Sequence, residues 1–446
     1  MRVRRVSGSV GGSRGGAAAP GGRTNALDRA FALFHARGAV PVVVGHVLDF
    51  PAASFTLDGL RARVAERAPG LDALQVVATP GARSWTRSAS PRTGAHVTEE
   101  RVDGRLAEAT DAVWRRPLPG RPAPGWDLRV LTCGSERVRR ICFRVDHSVV
   151  DGVGAAHLVA ALLADEPVAG PYPYRPPAPG RTSLAWLRAS PFKRFPEDET
   201  VPAGCASAPS GVPATAYADV PDAELRAVAS RWGSGVNDVY LAAVTGALAA
   251  LQVRQGEPVR DLRVVMPMSV RTREARLSPG NAALPAVLRL PCTVPEPGGR
   301  LAAVAAQTLA HKGSGLREGG WKALLRVPPA LLHRGMERPA FRLATSHIDI
   351  TGAYRVLGAS PLGASVFGLN SPGMLGYFSL TRAAATARVT VVHDRSHPAA
   401  AELPGLWVDA LAELAGPARI SEHAGPVARL APPPATVPWP PPGAPA

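Results

Sequence analysis

The sequence predicts an α/β protein of two lobes, and three observations carry that prediction. The chain has 446 residues, past the size at which a single hydrophobic core keeps growing. Between 166 and 213 its composition turns to Pro, Gly, Arg and Ser, with PYPYRPPAPGR near the start, which reads as a surface crossover between two halves. In the first half, Val138 to Val145 has the β-rich character of a strand, and from Gly152 onward small apolar residues recur at helical spacing (Ala155, Leu158, Leu162). Strands and helices elsewhere mix without strict alternation and without an internal repeat, so mixed sheets flanked by helices are expected.

In chain order, the division runs as a disordered tail over 1–23, a first lobe over 24–165, the crossover over 166–213, a second lobe over 214–425 and a Pro-rich tail over 426–446. Thr24-Asn25-Ala26-Leu27-Asp28 has the form of a helix start, with Leu27, Phe31 and Phe34 on one face. Val40 to Leu48 is β-branched and apolar despite Pro41, and Thr56 is placed to cap a helix carrying Leu57, Leu60 and Val64. Arg129 to Cys133 and Val138 to Val145 flank Gly134-Ser135-Glu136 and predict a hairpin. In the second lobe a helix from Asp222 stops at Gly233, and Asn237-Asp238 leads into a buried helix over Val239 to Val253. Leu262 to Met266, ending at Pro267, and Ala286 to Leu290 read as strands. Leu301 to His311 is a helix, Val389 to His393 a strand and Leu406 to Leu414 a closing helix. Trp232 and Trp407, at helical spacing among apolar neighbours, are expected in the core.

The formal charge is +16, from 51 basic and 35 acidic residues, and Lys occurs only at 193, 312 and 322. The excess is therefore Arg spread along the chain, with no dense basic block interleaved with aromatics, which excludes nucleic acid as the expected partner. An anionic membrane surface or a phosphorylated co-substrate suits such a charge. Cys133, Cys142, Cys205 and Cys292 show no CxxC pairing and fit reduced thiols of a cytoplasmic protein. The basic start of the chain has no apolar run of the signal-peptide kind.

Chemistry centres on Asp146-His147-Ser148-Val149-Val150-Asp151-Gly152, between the strand and the helix. His147 is the candidate general base, because a neutral imidazole accepts a proton near physiological pH. A lone His at such a junction is more often a packing residue. Asp151, four residues on, shifts that balance, and Gly152 is expected to permit a close backbone approach. Asp151 itself reads as structural: a buried carboxylate needs a cation, and Arg271, after the strand of LRVVMPMSVR, is the candidate for a bidentate pair. Two other signals are discounted. Gly152-Val153-Gly154 lacks the third glycine of a dinucleotide fingerprint, and His393, Asp394 and His397 look like a solvated turn rather than a metal site.

The segment resembles the HHxxxDG motif of the chloramphenicol acetyltransferase-like superfamily, which includes peptide-synthetase condensation domains. More specifically, the chain resembles the bacterial wax ester synthase/diacylglycerol acyltransferase family. LDRAFALF, DGVGAAHLVAALL, GSGVNDVYLAAVTGALAAL, LRVVMPMSVR followed by Gly280-Asn281, and LNSPGMLGYFSL with a later HDR occur in the family's order. The resemblance implies a two-lobed fold with an active-site tunnel between the lobes. It implies transfer of an acyl group from a coenzyme A thioester, used as co-substrate with no bound cofactor or metal, to a long-chain alcohol or diacylglycerol. His147 would be the base, Asp151, Gly152 and Arg271 its structural support, and Asp146, Asn237, Asp238, Ser269 and Asn281 motif-matched neighbours. Peripheral attachment to the inner membrane face or to lipid droplets would suit such substrates. The alternatives are a carrier-bound donor or non-lipid acceptor of specialised metabolism, and a catalytically silent lipid-binding member.

Three departures from the family pattern stand out. Asp146 replaces the first motif His, and its carboxylate is expected to raise the His147 pKa. Pro124-Gly125-Trp126 replaces Pro-Leu-Trp, and Ser346-His347-Ile348-Asp349-Ile350-Thr351-Gly352 stands where the family has an Asn-Val-Pro-Gly-Pro loop bordering the acceptor.

Overall fold

The computed structural model describes residues 20–37, 42–88, 93–120, 123–167, 210–313, 316–337, 341–350, 355–368, 374 and 376–416. The strands are β1 (Pro20–Arg23), β2 (Val43–Pro51), β3 (Val76–Val77), β4 (Ser84–Arg87), β5 (Val97–Val102), β6 (Trp126–Cys133), β7 (Val138–Asp146), β8 (Pro213–Pro221), β9 (Leu262–Ser269), β10 (Ala283–Leu290), β11 (Leu343–Asp349), β12 (Gly363–Phe367), β13 (Gly376–Ala383) and β14 (Thr386–Asp394). The helices are α1 (Ala26–Arg37), α2 (Leu57–Arg67), α3 (Thr93–His96), α4 (Leu106–Arg115), α5 (Gly152–Leu163), α6 (Asp222–Arg231), α7 (Val236–Arg254), α8 (Pro297–Gly313), α9 (Leu316–Leu324), α10 (Pro329–Glu337) and α11 (Leu403–Ala415).

Two large mixed sheets form the frame. One runs β12-β2-β7-β6-β5 and the other β10-β9-β11-β13-β14-β8, with β1, β4 and β3 in a small third sheet. The β6–β7 hairpin is present as predicted, antiparallel from Trp126↔Val145 to Cys133↔Val138. Thr56 caps α2, its hydroxyl accepting from the Gly59 amide at 3.1 Å. Leu48, Phe50, Leu60, Val64, Trp126, Ile141, Phe143, Leu158 and Leu162 form the core of the first lobe, and Tyr240, Leu241, Val244, Leu262, Phe378, Val389, Trp407 and Leu411 that of the second.

The lobes are not simple halves of the sequence. β12, from the second half, closes the edge of the first sheet, pairing antiparallel with β2 from Gly363↔Asp49 to Phe367↔Gly45. In return, α1 leaves the first lobe and packs on the second sheet: Leu27, Phe31 and Phe34 share a cluster with Met268, Leu284 and Ala286 of β9 and β10, and with Leu324 and Leu332 of α9 and α10. Asp49 adds a buried electrostatic tie, accepting from Arg140 Nε at 2.6 Å in its own sheet and from Arg388 Nη1 at 2.6 Å in the other.

Several sequence expectations are corrected. Pro20–Arg23, assigned to the tail, is a strand pairing with β4; residues 1–19, 168–209 (with Cys205) and the tail 426–446 lie outside the described residues. Pro267 does not end its strand. β9 continues to Ser269, and Pro267 faces Pro285 across the ladder, which an antiparallel pair accepts where the two N–H positions point away from each other. Trp407 is buried at 1% exposure, but Trp232 is 43% exposed. Its position just past α6 leaves the ring on the surface, where it covers Gly298 and its indole N–H donates to the Leu414 carbonyl at 2.9 Å. α7 is long and apolar enough to cross a membrane by length and composition, yet 78% of that stretch is buried inside the protein, as a core helix requires.

Candidate active site

The site forms where β7 hands over to α5. His147 follows the last residue of β7, and its amide donates to Val42 O at 3.0 Å, so the loop is pinned to the entry of β2. Asp151 is the N-cap of α5, its Oδ1 accepting from the Gly154 amide at 2.7 Å. Its other oxygen, Oδ2, accepts from Arg271 Nη2 at 2.9 Å and from the Ala282 amide at 2.6 Å. The ion pair expected from the sequence is therefore present, but it is not bidentate. The rest of the Arg271 guanidinium holds backbone carbonyls of its own loop, Ala275 at 2.9 Å, Ser278 at 2.8 Å and Gly280. Arg271 N also donates to Ser269 Oγ at 3.2 Å. Burial alone would raise the Asp151 pKa; the Arg271 charge and the hydrogen bonds it accepts outweigh that and leave it below the ordinary value.

The close approach falls on Gly154, not Gly152. A Cβ on Gly154 would lie 2.3 Å from Val150 Cγ2 and 2.9 Å from the Arg271 guanidinium, whereas one on Gly152 would meet Ile348 and Val44 at ordinary contact distances of 3.6 and 3.8 Å. Gly154 is thus the residue that lets Arg271 reach beneath the helix start.

Asn281 completes the site. Its Nδ2 donates to His147 O at 2.8 Å and to Asp28 Oδ1 at 2.9 Å. Both partners are acceptors, so the amide is oriented with Oδ1 toward His147 Nδ1, at 3.0 Å. Nδ1 must then carry the proton, its own carbonyl serving as a further acceptor, and Nε2 holds the lone pair. The Phe31 ring stacks on the imidazole, centroids 4.1 Å apart and planes 16° apart. Burial is the largest influence on the His147 pKa and holds it below the usual imidazole value; the Asp151, Asn281 and Asp146 contributions oppose it without reversing it.

Asp146 does push the His147 pKa upward, as expected, but it is the smallest of the opposing influences and burial outweighs it. The Asp146 carboxylate turns back on its own backbone, accepting from Ser148 N at 2.8 Å and Ser148 Oγ at 2.6 Å, with His35 Nδ1 3.4 Å from its other oxygen. These partners hold its pKa below the ordinary value against burial. Gly125 accommodates it: the Asp146 amide donates to Gly125 O at 2.7 Å, and a Cβ at Gly125 would come within 3.1 Å of the Asp146 Cβ.

Asn237 and Asp238 lie in the first turn of α7, and Asp238 accepts from Thr308 Oγ1 of α8 at 2.7 Å; among the described residues neither shares a hydrogen bond with His147. Ser346 to Asp349, expected in a loop, belong to β11, while Thr351 and Gly352 lie outside the described residues. The His347 pKa is pushed down to about 4 by burial. Among the described residues, no group of three or more metal-ligating side chains occurs, at His393-Asp394-His397 or elsewhere. The sequence reading missed Asp28 and Phe31. A signal existed for the first: Asp28 is the lone charge on the apolar Leu27/Phe31 face of α1, where a buried carboxylate calls for partners.

The layers, the exchanged β12 and α1, and the His at the β7–α5 junction define a protein of the chloramphenicol acetyltransferase-like fold. A wax ester synthase/diacylglycerol acyltransferase from Marinobacter aquaeolei superposes with a TM-score of 0.62 over 88% of this chain and 98% of its own, at 19% identity. The first condensation domain of the calcium-dependent antibiotic synthetase gives 0.59 over 88% and 95%, at 16% identity. The starter condensation domain of rhizomide synthetase, in complex with C8-CoA and Leu-SNAC, gives 0.57 over 88% and 94%, at 15% identity. Within that class the sequence is similar to bacterial proteins named as diacylglycerol O-acyltransferases, in line with the resemblance drawn from the motifs. A probable diacylglycerol O-acyltransferase (tgs1) of Mycobacterium tuberculosis is 26% identical over 269 residues, 54% of this chain and 56% of its own length. A putative one from Mycobacterium bovis matches to the same extent. The chain thus spans little more than half the length of these curated relatives. No protein-family profile matches it.

Proposed function

We propose that the protein is an O-acyltransferase that moves a fatty acyl group from a coenzyme A thioester to a long-chain alcohol or diacylglycerol, with His147 as general base. The observation that carries the reading is the Nδ1 contact of His147 with Asn281 Oδ1, which leaves Nε2 as a proton acceptor on an imidazole that burial keeps neutral. In this scheme the acceptor hydroxyl gives its proton to Nε2 as its oxygen attacks the thioester carbonyl. The tetrahedral oxyanion collapses with cleavage of the C–S bond, and the imidazolium returns the proton to the departing thiolate. The products are an ester and free coenzyme A, and no acyl-enzyme is formed. The names of the sequence relatives and the C8-CoA held by a protein of the same fold support this choice of donor and acceptor.

Delivery from a membrane or lipid-droplet surface, at the cytoplasmic face, is part of the same reading. Leu325, just past α9, and Leu331 of α10 are 38% and 55% exposed, among exposed Lys322, Arg326 and Arg334, and both helices share a cluster with Phe31 of α1, which covers His147. Such a basic and apolar lip suits an anionic lipid interface. The test of the reaction is mass-spectrometric detection of ester from palmitoyl-CoA with hexadecanol or dioleoylglycerol, wild type against His147→Ala. Ester formed by the wild type and lost in the variant supports the reading; ester formed equally by both, or by neither, contradicts it.

A further inference from the structure

The hydrogen bonds behind His147 run on into a helix that sequence reasoning did not connect with it. Asp28, in the first turn of α1 and 1% exposed, accepts from Asn281 N at 2.7 Å and Asn281 Nδ2 at 2.9 Å through Oδ1, and from Asn25 N at 2.7 Å through Oδ2. Asn25 Nδ2 in turn donates to Asn281 O at 2.8 Å. Asn25 Oδ1 caps the helix, accepting from Leu27 N at 2.9 Å and Asp28 N at 3.1 Å. Three donors converge on one carboxylate that, among the described residues, has no cation as hydrogen-bond partner. A pair of oxygens presented only to N–H groups makes the Asn281 amide choose one orientation, because the flipped amide would set its oxygen against the Asp28 carboxylate.

We propose that Asp28 and Asn281 are positioning residues for the base: Asp28 orients the Asn281 amide, whose oxygen holds the proton on His147 Nδ1 and so keeps Nε2 free to accept one. The inference rests on the acyl-transfer reading for its kinetic consequence but not for its structural one. A second hydrogen bond to the ligating or reacting ring fixes which nitrogen does the chemistry. The Phe31 stack, three residues along the same helix, fixes the ring plane. The exchanged helix therefore supplies the alignment of a base carried by the other lobe. Burial raises the Asp28 pKa to about 6 against the hydrogen bonds that lower it, which leaves the carboxylate ionised at neutral pH with all three donors directed at it.

The decisive variant is Asp28→Asn, equal in shape but bearing an amide that competes with Asn281 as a donor. It is read in two ways on the full chain. Nitrogen-15 NMR of histidine-labelled protein reports the tautomer: the wild type shows an unprotonated Nε2 at His147, assigned by its loss in His147→Ala, and Asp28→Asn shifts part or all of the proton to Nε2. Kinetics with palmitoyl-CoA and hexadecanol show kcat lower by about 10- to 100-fold, the range for a group that orients a working residue, with KM changed by less than about twofold, as for an interaction felt in the transition state. If circular dichroism shows that Asp28→Asn does not fold, Asn281→Ala is read by the same criteria and is expected to lose the single Nδ1–H tautomer. An unchanged tautomer, or a fall in kcat in step with loss of folded protein alone, overturns the proposal. A shifted tautomer in a chain that makes no ester from any acceptor upholds the positioning role and overturns the reaction assigned above.

Discussion

Replacing Arg271 by Lys keeps the charge and removes the fork, which makes it a sharp test of what holds the site loop. The guanidinium makes four hydrogen bonds, one to Asp151 Oδ2 and three to the carbonyls of Ala275, Ser278 and Gly280. It is 2% exposed, and the Gly280 carbonyl it holds is buried with it, whereas Ala275 is half-buried and Ser278 exposed, so of the three carbonyls only that of Gly280 finds no water when released. An ammonium has three donors on a single atom and reaches Asp151 or the carbonyl group, but not all four partners at once. With Asp151 still paired, three donors cannot serve four partners, and loss of the donor to the buried Gly280 carbonyl costs about 1–3 kcal/mol; the expected loss of stability lies in that range. Loss of the ion pair as well would bring it toward the roughly 3–5 kcal/mol typical of a broken buried pair. The assay is urea unfolding followed by circular dichroism, alongside ester formation. Because the same loop carries Asn281, activity should fall further than the folded fraction does. A stability change below about 0.5 kcal/mol, the level of an ordinary surface substitution, with activity unaltered would refute the account of Arg271 as the brace of this loop.

Two other substitution pairs separate positions that look alike in sequence. Gly154→Ala forces a methyl against Val150 and the Arg271 guanidinium and should cost about 1–3 kcal/mol as overpacking, whereas Gly152→Ala, with room for its methyl, should leave stability unchanged or raise it by under about 1 kcal/mol; equal effects in thermal unfolding would contradict the assignment of the close approach to Gly154. Trp407→Ala, at a site 1% exposed, should cost about 3–5 kcal/mol, and Trp232→Ala only about 1 kcal/mol for a lost hydrogen bond to Leu414 O, both measured by urea midpoint.

The parts of the site legible in the sequence are those whose partners are near in sequence or forced by charge. Strand, loop and helix around His147 follow from local periodicity, and Asp151 with Arg271 follows from the need of a buried carboxylate for a cation. What stayed hidden depends on long-range placement. Asp28 meets Asn281 across 253 residues, and only the packing of α1 on β9 and β10 brings them together. The same holds for β12, whose short apolar run says nothing about which sheet it will close. The Asp146 expectation held in direction but not in outcome: its carboxylate, taken up by Ser148, raises the His147 pKa only slightly, and the burial that outweighs it is not visible in the sequence. Trp232 failed because helical spacing was extended one residue past the end of α6, where the ring swings to the surface.

The claim on which the rest depends is that a neutral His147 takes the acceptor's proton. Its most direct test is the pH dependence of kcat/KM for palmitoyl-CoA with hexadecanol, which reports the ionisation of essential groups in the free enzyme. Because burial depresses the His147 pKa, the imidazole is already neutral at pH 7. The predicted profile falls as pH drops below the usual imidazole value of about 6.5 and is level from there through neutrality, with the activity lost in His147→Ala. A rate that keeps rising with pH above 7, or a His147→Ala variant that retains the wild-type rate and profile, would contradict it.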